Sequence, residues 1–169
     1  MSQARTLSTW ESLAELELTI EDYALEPLSA SVSSNFERKT TVIRLRGGAL
    51  GGTGGTLAEG IGEDVTYDAV DHEILQAAGP QLPLAGRFTL ASFSEHLAEL
   101  ELFPEPPARE VSQRYRTWAY ESAALDLALR QAQRTLHAAL GREPQPVRYV
   151  VSLRLDELVE RLESEARPE

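Results

Sequence analysis

The stretch from Tyr115 to Leu155 constrains the fold most, because one long helical period is followed there by a strand period. Trp118, Ser122, Leu125, Leu129, Ala132, Leu136 and Leu140 are spaced by threes and fours, which draws one stripe along a helix. The intervening alanines (Ala119, Ala123, Ala124, Ala128, Ala138, Ala139) raise helix propensity and let a neighbouring element approach closely. Gly141 supplies a stop, and Pro144 and Pro146 forbid continuation. Val147, Tyr149, Val151 and Leu153 then alternate with Arg148, Ser152 and Arg154, the period of a strand.

A chain of 169 residues with 42% hydrophobic content fits one domain with a real core. Its net charge of -11 disfavours nucleic acid and anionic membrane surfaces, which attract basic patches. There is no cysteine, so disulfides, thiolate metal sites and a cysteine nucleophile are excluded. Met1 to Leu13 lacks the apolar core of a signal peptide, and no stretch approaches the roughly 20 apolar residues that span a bilayer. The expected compartment is the cytoplasm.

Taken in order, residues 1–13 read as a flexible tail. Leu16, Leu18 and Ile20 alternate with Glu17, Thr19 and Glu21, a half-exposed strand within Ala14 to Leu25 that Pro27 closes. The serine-rich residues 28–38 read as a loop, and Lys39 to Arg46 as a second strand. Gly47 to Gly55 holds six glycines in nine positions. No Lys-Ser/Thr follows, so this reads as a hairpin connection rather than a phosphate-binding loop. Leu57, Glu59 and Ile61 continue into a third strand, giving an antiparallel meander.

From Thr66, a candidate cap, the pattern becomes helical, with Val70, Ile74 and Ala77 or Ala78 on one face up to Gly79-Pro80. Thr89 or Ser92 caps another helix carrying Phe93, Leu97 and Leu100, and Pro104, Pro106 and Pro107 separate it from the long one. Strands first and helices later argue an α+β fold. His72, His96 and His137 are scattered and do not have metal-site spacing. No nucleophile elbow, zinc-protease helix, dinucleotide fingerprint or kinase signature occurs. The closing run Asp156 to Glu165 is amphipathic through Leu155, Leu158, Val159 and Leu162, either a surface helix or a docking segment.

Three stretches in this order carry a resemblance. Arg38 to Arg46 followed by Gly60-Ile61-Gly62-Glu63, then Tyr120 to Leu129, then Val147 to Leu155, resemble the amino-terminal capping domain of the enolase superfamily. The likeness is to its mandelate racemase and muconate-lactonizing branch, and the last stretch resembles the first strand of the barrel that follows. It implies a three-stranded meander followed by a helical bundle, with residues 14–146 as the cap and 147–169 as the start of a truncated barrel domain.

In that family two cap loops, after the first and third strands, help select a small carboxylate substrate. The barrel holds Mg²⁺ and the bases that abstract a proton next to the carboxylate, in racemases, epimerases, dehydratases and cycloisomerases. Those residues would lie beyond this chain, so no catalytic or metal-binding residue is expected within it. A whole barrel takes about 250 residues, and a full-length protein is expected to be a homo-oligomer. By position, the resemblance implies substrate-facing roles for Ser34, Asn35, Phe36 and Arg38 in the first loop and Asp64 and Tyr67 in the second. Ser152 and Arg154 join them at the end of the barrel-like strand. Phe36 would pack an apolar group and Arg38 would pair with a carboxylate, although each also fits an ordinary loop side chain. Glu63 reads as orienting its turn, and Glu121 and Asp126 as capping or cross-linking elements. The alternative is a free-standing, non-catalytic module that docks a partner chain through residues 147–169.

Overall fold

A computed structural model of the chain describes residues 8–33, 36–49 and 56–150. The fold is α+β. A three-stranded antiparallel sheet runs in the order β2 (Asp22–Ser33), β3 (Phe36–Ala49), β4 (Leu57–Asp64). A second sheet pairs β1 (Glu17–Ile20) with β5 (Gly86–Thr89). The helices are α1 (Thr9–Leu13), α2 (Ala69–Ala78), α3 (Leu90–Ala98), α4 (Ser112–Gln131) and α5 (Leu136–Leu140).

A three-stranded meander and the hairpin pairing β3 with β4 form, but the Leu16–Ile20 alternation expected to open the meander is β1 and pairs with β5 in the other sheet. Several boundaries also differ. The first strand is two strands, because the chain turns at Glu21, whose N–H donates to Arg46 O at 2.7 Å. β2 then runs through Pro27, which lies opposite Thr41, and on through the expected loop as far as Ser33. Proline is tolerated there because β2 is an edge strand. Residues 9–13, expected within a flexible tail, form a helix with a Ser8/Glu11 capping box and a buried Leu13. Asp68, not Thr66, precedes α2, and the helix buries Asp71, His72 and Leu75 while Val70 stays exposed. Thr89 does cap α3, with Phe93 and Leu97 in the core.

The long helix is shorter than its period suggests. It ends at Gln131 in a Schellman arrangement: Gln133 N–H donates to Arg130 O at 3.1 Å and Arg134 N–H to Leu129 O at 2.9 Å. Gln133 takes the left-handed backbone position, φ 53°, that glycine usually fills. Thr135 then caps α5, and Gly141 ends it at φ 60°.

The stripe read from Trp118 through Ser122 and Leu125 is not the buried one. Helix α4 buries Ala119, Tyr120, Ala123, Ala124, Leu127 and Ala128, and leaves Trp118 56% exposed. The reason lies in β4. A Cβ at Gly60 would collide with Ala123 O and Leu127 N, and one at Gly62 with Ala119 O. Helix and strand therefore meet backbone to backbone, at Ala119, Ala123 and Leu127 of the helix. Asp126 completes the seam, its Oδ2 accepting the Ile61 N–H of the β4 edge at 3.0 Å. Gln131 ties the far end, with Oε1 accepting Thr19 N–H at 2.9 Å and Nε2 donating to Thr19 O at 2.8 Å and Gly47 O at 2.7 Å. Around this seam Leu18, Ile20, Ile43, Leu45, Phe93, Leu97 and Leu127 form one core. The opposite sheet face carries an ion-pair ladder, Asp22–Arg46 at 2.6 Å and Glu26–Arg44–Glu59 at 2.6 and 2.8 Å. Such exposed pairs contribute little individually.

Two stability predictions follow from this packing. Gly62→Ala forces backbone apart and lowers unfolding free energy by about 3 kcal/mol, the upper end for overpacking, measured by urea denaturation. Burial raises the Tyr120 phenol above its usual value of 10.0, and Tyr23 raises it further. The folded state thus favours the neutral phenol, so this contribution is intact below about pH 10 and is lost as pH rises above it. The Tyr120 hydroxyl has no hydrogen-bond partner among the described residues. Tyr120→Phe should therefore leave stability at pH 7 within about 1 kcal/mol and flatten its alkaline decline.

Candidate functional site

The amino end of β3 meets a loop at one end of the large sheet. Phe36 opens β3, and Val65 to Asp68 link β4 to α2. The Phe36 and Tyr67 rings stack with centroids 6.2 Å apart and planes 24° apart. Arg38, two residues along β3 and so, like Phe36, on a strand rather than in the expected loop, ties that strand to the β4–α2 loop. Its Nη2 donates to Val65 O at 2.6 Å and its Nη1 to Tyr67 O at 3.2 Å. The Arg38 guanidinium lies 5.5 Å from the Tyr67 ring centroid. Arg109, from the proline-rich connection, lies 4.9 Å from the same ring. Its Nε is 2.8 Å from Asp68 Oδ2, an ionic contact in which the N–H is not aimed at that oxygen. Phe36 is 39% and Tyr67 55% exposed, so the rings form an aromatic ledge flanked by two guanidiniums.

Beneath the ledge lies a buried polar network. Asp64, the last residue of β4, is fully buried. Its Oδ1 accepts Thr66 N–H at 3.0 Å and Thr66 Oγ1–H at 2.6 Å, and its Oδ2 accepts Arg116 Nε–H at 2.8 Å. Arg116 spends its other donors on Leu102 O at 3.2 Å and Asp71 O at 2.9 Å, and its guanidinium lies 3.5 Å from the Phe103 ring centroid. His72 Nε2 lies 2.9 Å from Thr66 O, which only accepts, so that nitrogen carries the proton. Nδ1 then accepts from Thr41 Oγ1 at 3.0 Å, and Gln76 Nε2 donates to that hydroxyl oxygen at 2.8 Å. The network fixes the backbone from which Tyr67 projects.

Of the sequence candidates, Phe36, Arg38 and Tyr67 come together. Asp64 does not join them, because burial and the Arg116 pairing close it to any solvent-borne ligand. Arg38 is committed to loop carbonyls and serves as a loop clamp. Ser34, Asn35, Ser152 and Arg154 lie outside the described residues, as do residues 151–155 of the expected last strand and the run Asp156 to Glu165 read as amphipathic. Val147, Tyr149 and Val150 are 68%, 86% and 96% exposed and belong to no helix or strand. Glu121 and Asp126 do cross-link elements, Glu121 through Ser94 Oγ–H at 2.5 Å. Sequence reasoning missed Arg109 and Arg116. Arg116 sits one turn before Tyr120 on the buried helix face, where an arginine amid alanines is the signal that could have marked it.

Residues 11–139, from within α1 to within α5, match the model of the N-terminal domain of a family described as a domain of unknown function, DUF8230. The chain belongs to that family. No curated protein and no solved structure matches it. The match to the DUF8230 N-terminal domain takes in the residues of the ledge, the Asp64–Arg116 pair and the glycine seam. Among the described residues of this DUF8230 chain, no group of three or more His, Asp or Glu is placed to hold a metal ion. Nor is any helix there long and apolar enough to cross a membrane.

The buried pair makes a direct prediction. Arg116→Met leaves the Asp64 carboxylate buried without its cation and should cost about 3–5 kcal/mol, read by denaturant unfolding. Amide exchange at Thr66 should rise with it.

Proposed function

We propose that this domain is the cap of an enolase-superfamily enzyme, closing over a barrel that abstracts a proton next to a carboxylate. The observation that carries the reading is the joining of the amino end of β3 to the loop after β4 by the Phe36–Tyr67 stack and the Arg38 clamp. In that superfamily the two cap loops form the lid over the substrate. The order of a three-stranded meander with the long helices after it supports it. On this reading the Phe36 and Tyr67 rings contact the apolar part of the substrate and exclude water from the site. Arg38 and the Asp64–Arg116 pair hold those rings in register. Mg²⁺, when bound by the barrel, supplies stabilisation of the enolate charge. The reaction class is racemisation, epimerisation, dehydration or cycloisomerisation.

The test pairs an intact-mass measurement of the protein from its source cells with solvent exchange. The native protein, in D₂O with Mg²⁺ and a panel of 2-hydroxy and 2-amino carboxylates, should place deuterium at the α-carbon, and the 169-residue chain alone should not. Tyr67→Ala in the native protein should raise KM or shift preference within the panel. A native mass of 18.6 kDa with no co-purifying chain and no exchange would sink the reading.

The exposure of Val147, Tyr149 and Val150 favours a second reading, a free-standing module that docks a partner chain through residues 147–169. Deleting those residues should then abolish association, and an unchanged oligomeric state would count against it.

A further inference from the structure

A second site lies away from the aromatic ledge and shares no residue with it. Helices α1, α3 and α4 enclose an apolar groove of about 240 Å³. Leu13, Phe93 and Leu125 line it, and Trp10 and Trp118 stand at it from different helices. These are the only two tryptophans of the chain, and both are more than half exposed, 52% and 56%. Large indoles left open to water around one groove are unusual for side chains of this type. Tyr115 braces Trp118 edge-on with ring centroids 5.6 Å apart, so that indole is held in place.

One charged side chain lines the groove, the Glu121 carboxylate. Its Oε1 accepts Ser94 Oγ–H at 2.5 Å. Among the described residues, Oε2 makes no hydrogen bond or ion pair, and no cation lines the groove. Apolar walls, two indoles and a carboxylate with a free oxygen together match one ligand chemistry. Indole π faces attract organic cations, which is how aromatic cages bind quaternary ammonium groups. The carboxylate adds direct charge complementarity, and the field of a chain with net charge -11 draws cations toward it. An anion would repel the Glu121 carboxylate, and a neutral donor could hydrogen-bond it but would leave its charge without a counter-charge. The volume lies just below the roughly 300 Å³ at which drug-sized pockets begin, so the ligand is a small one.

We propose that this groove binds a small organic ammonium ion with an apolar body, seated between Trp10 and Trp118 with its charge at Glu121. The inference does not depend on the cap reading and uses none of its residues.

The two tryptophans make the site its own reporter, because all indole emission arises at the groove. Benzyltrimethylammonium chloride is titrated into the 169-residue chain, with sodium chloride holding ionic strength constant. A saturable emission change with Kd near about 1 mM is expected for a ligand of this size. Benzyl alcohol, the neutral comparison, should bind at least about tenfold more weakly. Glu121→Gln keeps an oxygen acceptor for Ser94 and should weaken binding about tenfold. Trp118→Ala and Trp10→Ala, on separate helices, should each weaken it similarly, with far-UV circular dichroism confirming the fold. No saturable change up to about ten times that concentration would overturn the proposal. So would equal binding of benzyl alcohol, or a Glu121→Gln titration that superimposes on the wild type.

Discussion

The contact on which the rest of the structure depends is the backbone-to-backbone seam between β4 and α4. Gly60 and Gly62 present bare Cα atoms, and Ala119 and Ala123 approach until their carbonyls and amides fill the space a Cβ would occupy. That approach sets the height of the helix above the sheet. It also decides which side chains are core, because Tyr120, Ala124 and Leu127 ride on the same face. Dispersion gains from so close a contact are spread over many small atom pairs rather than a few large side chains. The seam then positions Asp126 to satisfy the exposed edge of β4, which an unpartnered edge strand would otherwise leave open to other chains.

From the seam the architecture extends in two directions. Toward the carboxyl end of β4, Arg116 reaches from α4 to Asp64 and fixes the loop that carries Tyr67. Toward the other end, Gln131 bridges β1, β3 and α4 with three amide hydrogen bonds. One helix therefore anchors both ends of the sheet. Its outward side, bearing Trp118 and Leu125, is left to form the wall of the groove with α1 and α3.

The α+β class and a three-stranded antiparallel sheet were legible because alternation and threes-and-fours spacing report directly on exposure, whereas α1 ahead of the strands and β5 between two helices were not. The same signal misled on α4. Periodicity favours the largest apolar side chains, Trp118 and Leu125, whereas the glycine strand meets Ala119, Ala123 and Leu127 at their backbone, so that face is the buried one. The break at Gln133 was hidden because the left-handed position is held by glutamine and not glycine. Pro27 suggested an end to β2, but an edge strand has a side on which a missing N–H does no harm. At the ledge, Tyr67 does lie in the loop where its position put it, whereas Phe36 and Arg38, read as loop residues, lie on β3. The sequestration of Asp64 was not legible, since its partner Arg116 lies 52 residues away and only tertiary structure brings them together.

The burial of the Asp64–Arg116 pair separates the molecule into two electrical regimes. The Arg44 and Arg46 ladder on the open sheet face sits in high dielectric, where mobile ions screen it within about 10 Å at 0.1 M salt. The pair under the Tyr67 loop is sealed from those ions by Phe103, Leu102 and the helix itself. A rise in ionic strength therefore loosens the charge lattice on one side of the sheet while the loop on its other side keeps its geometry. The surface ledge inherits a position that the salt content of its surroundings does not set.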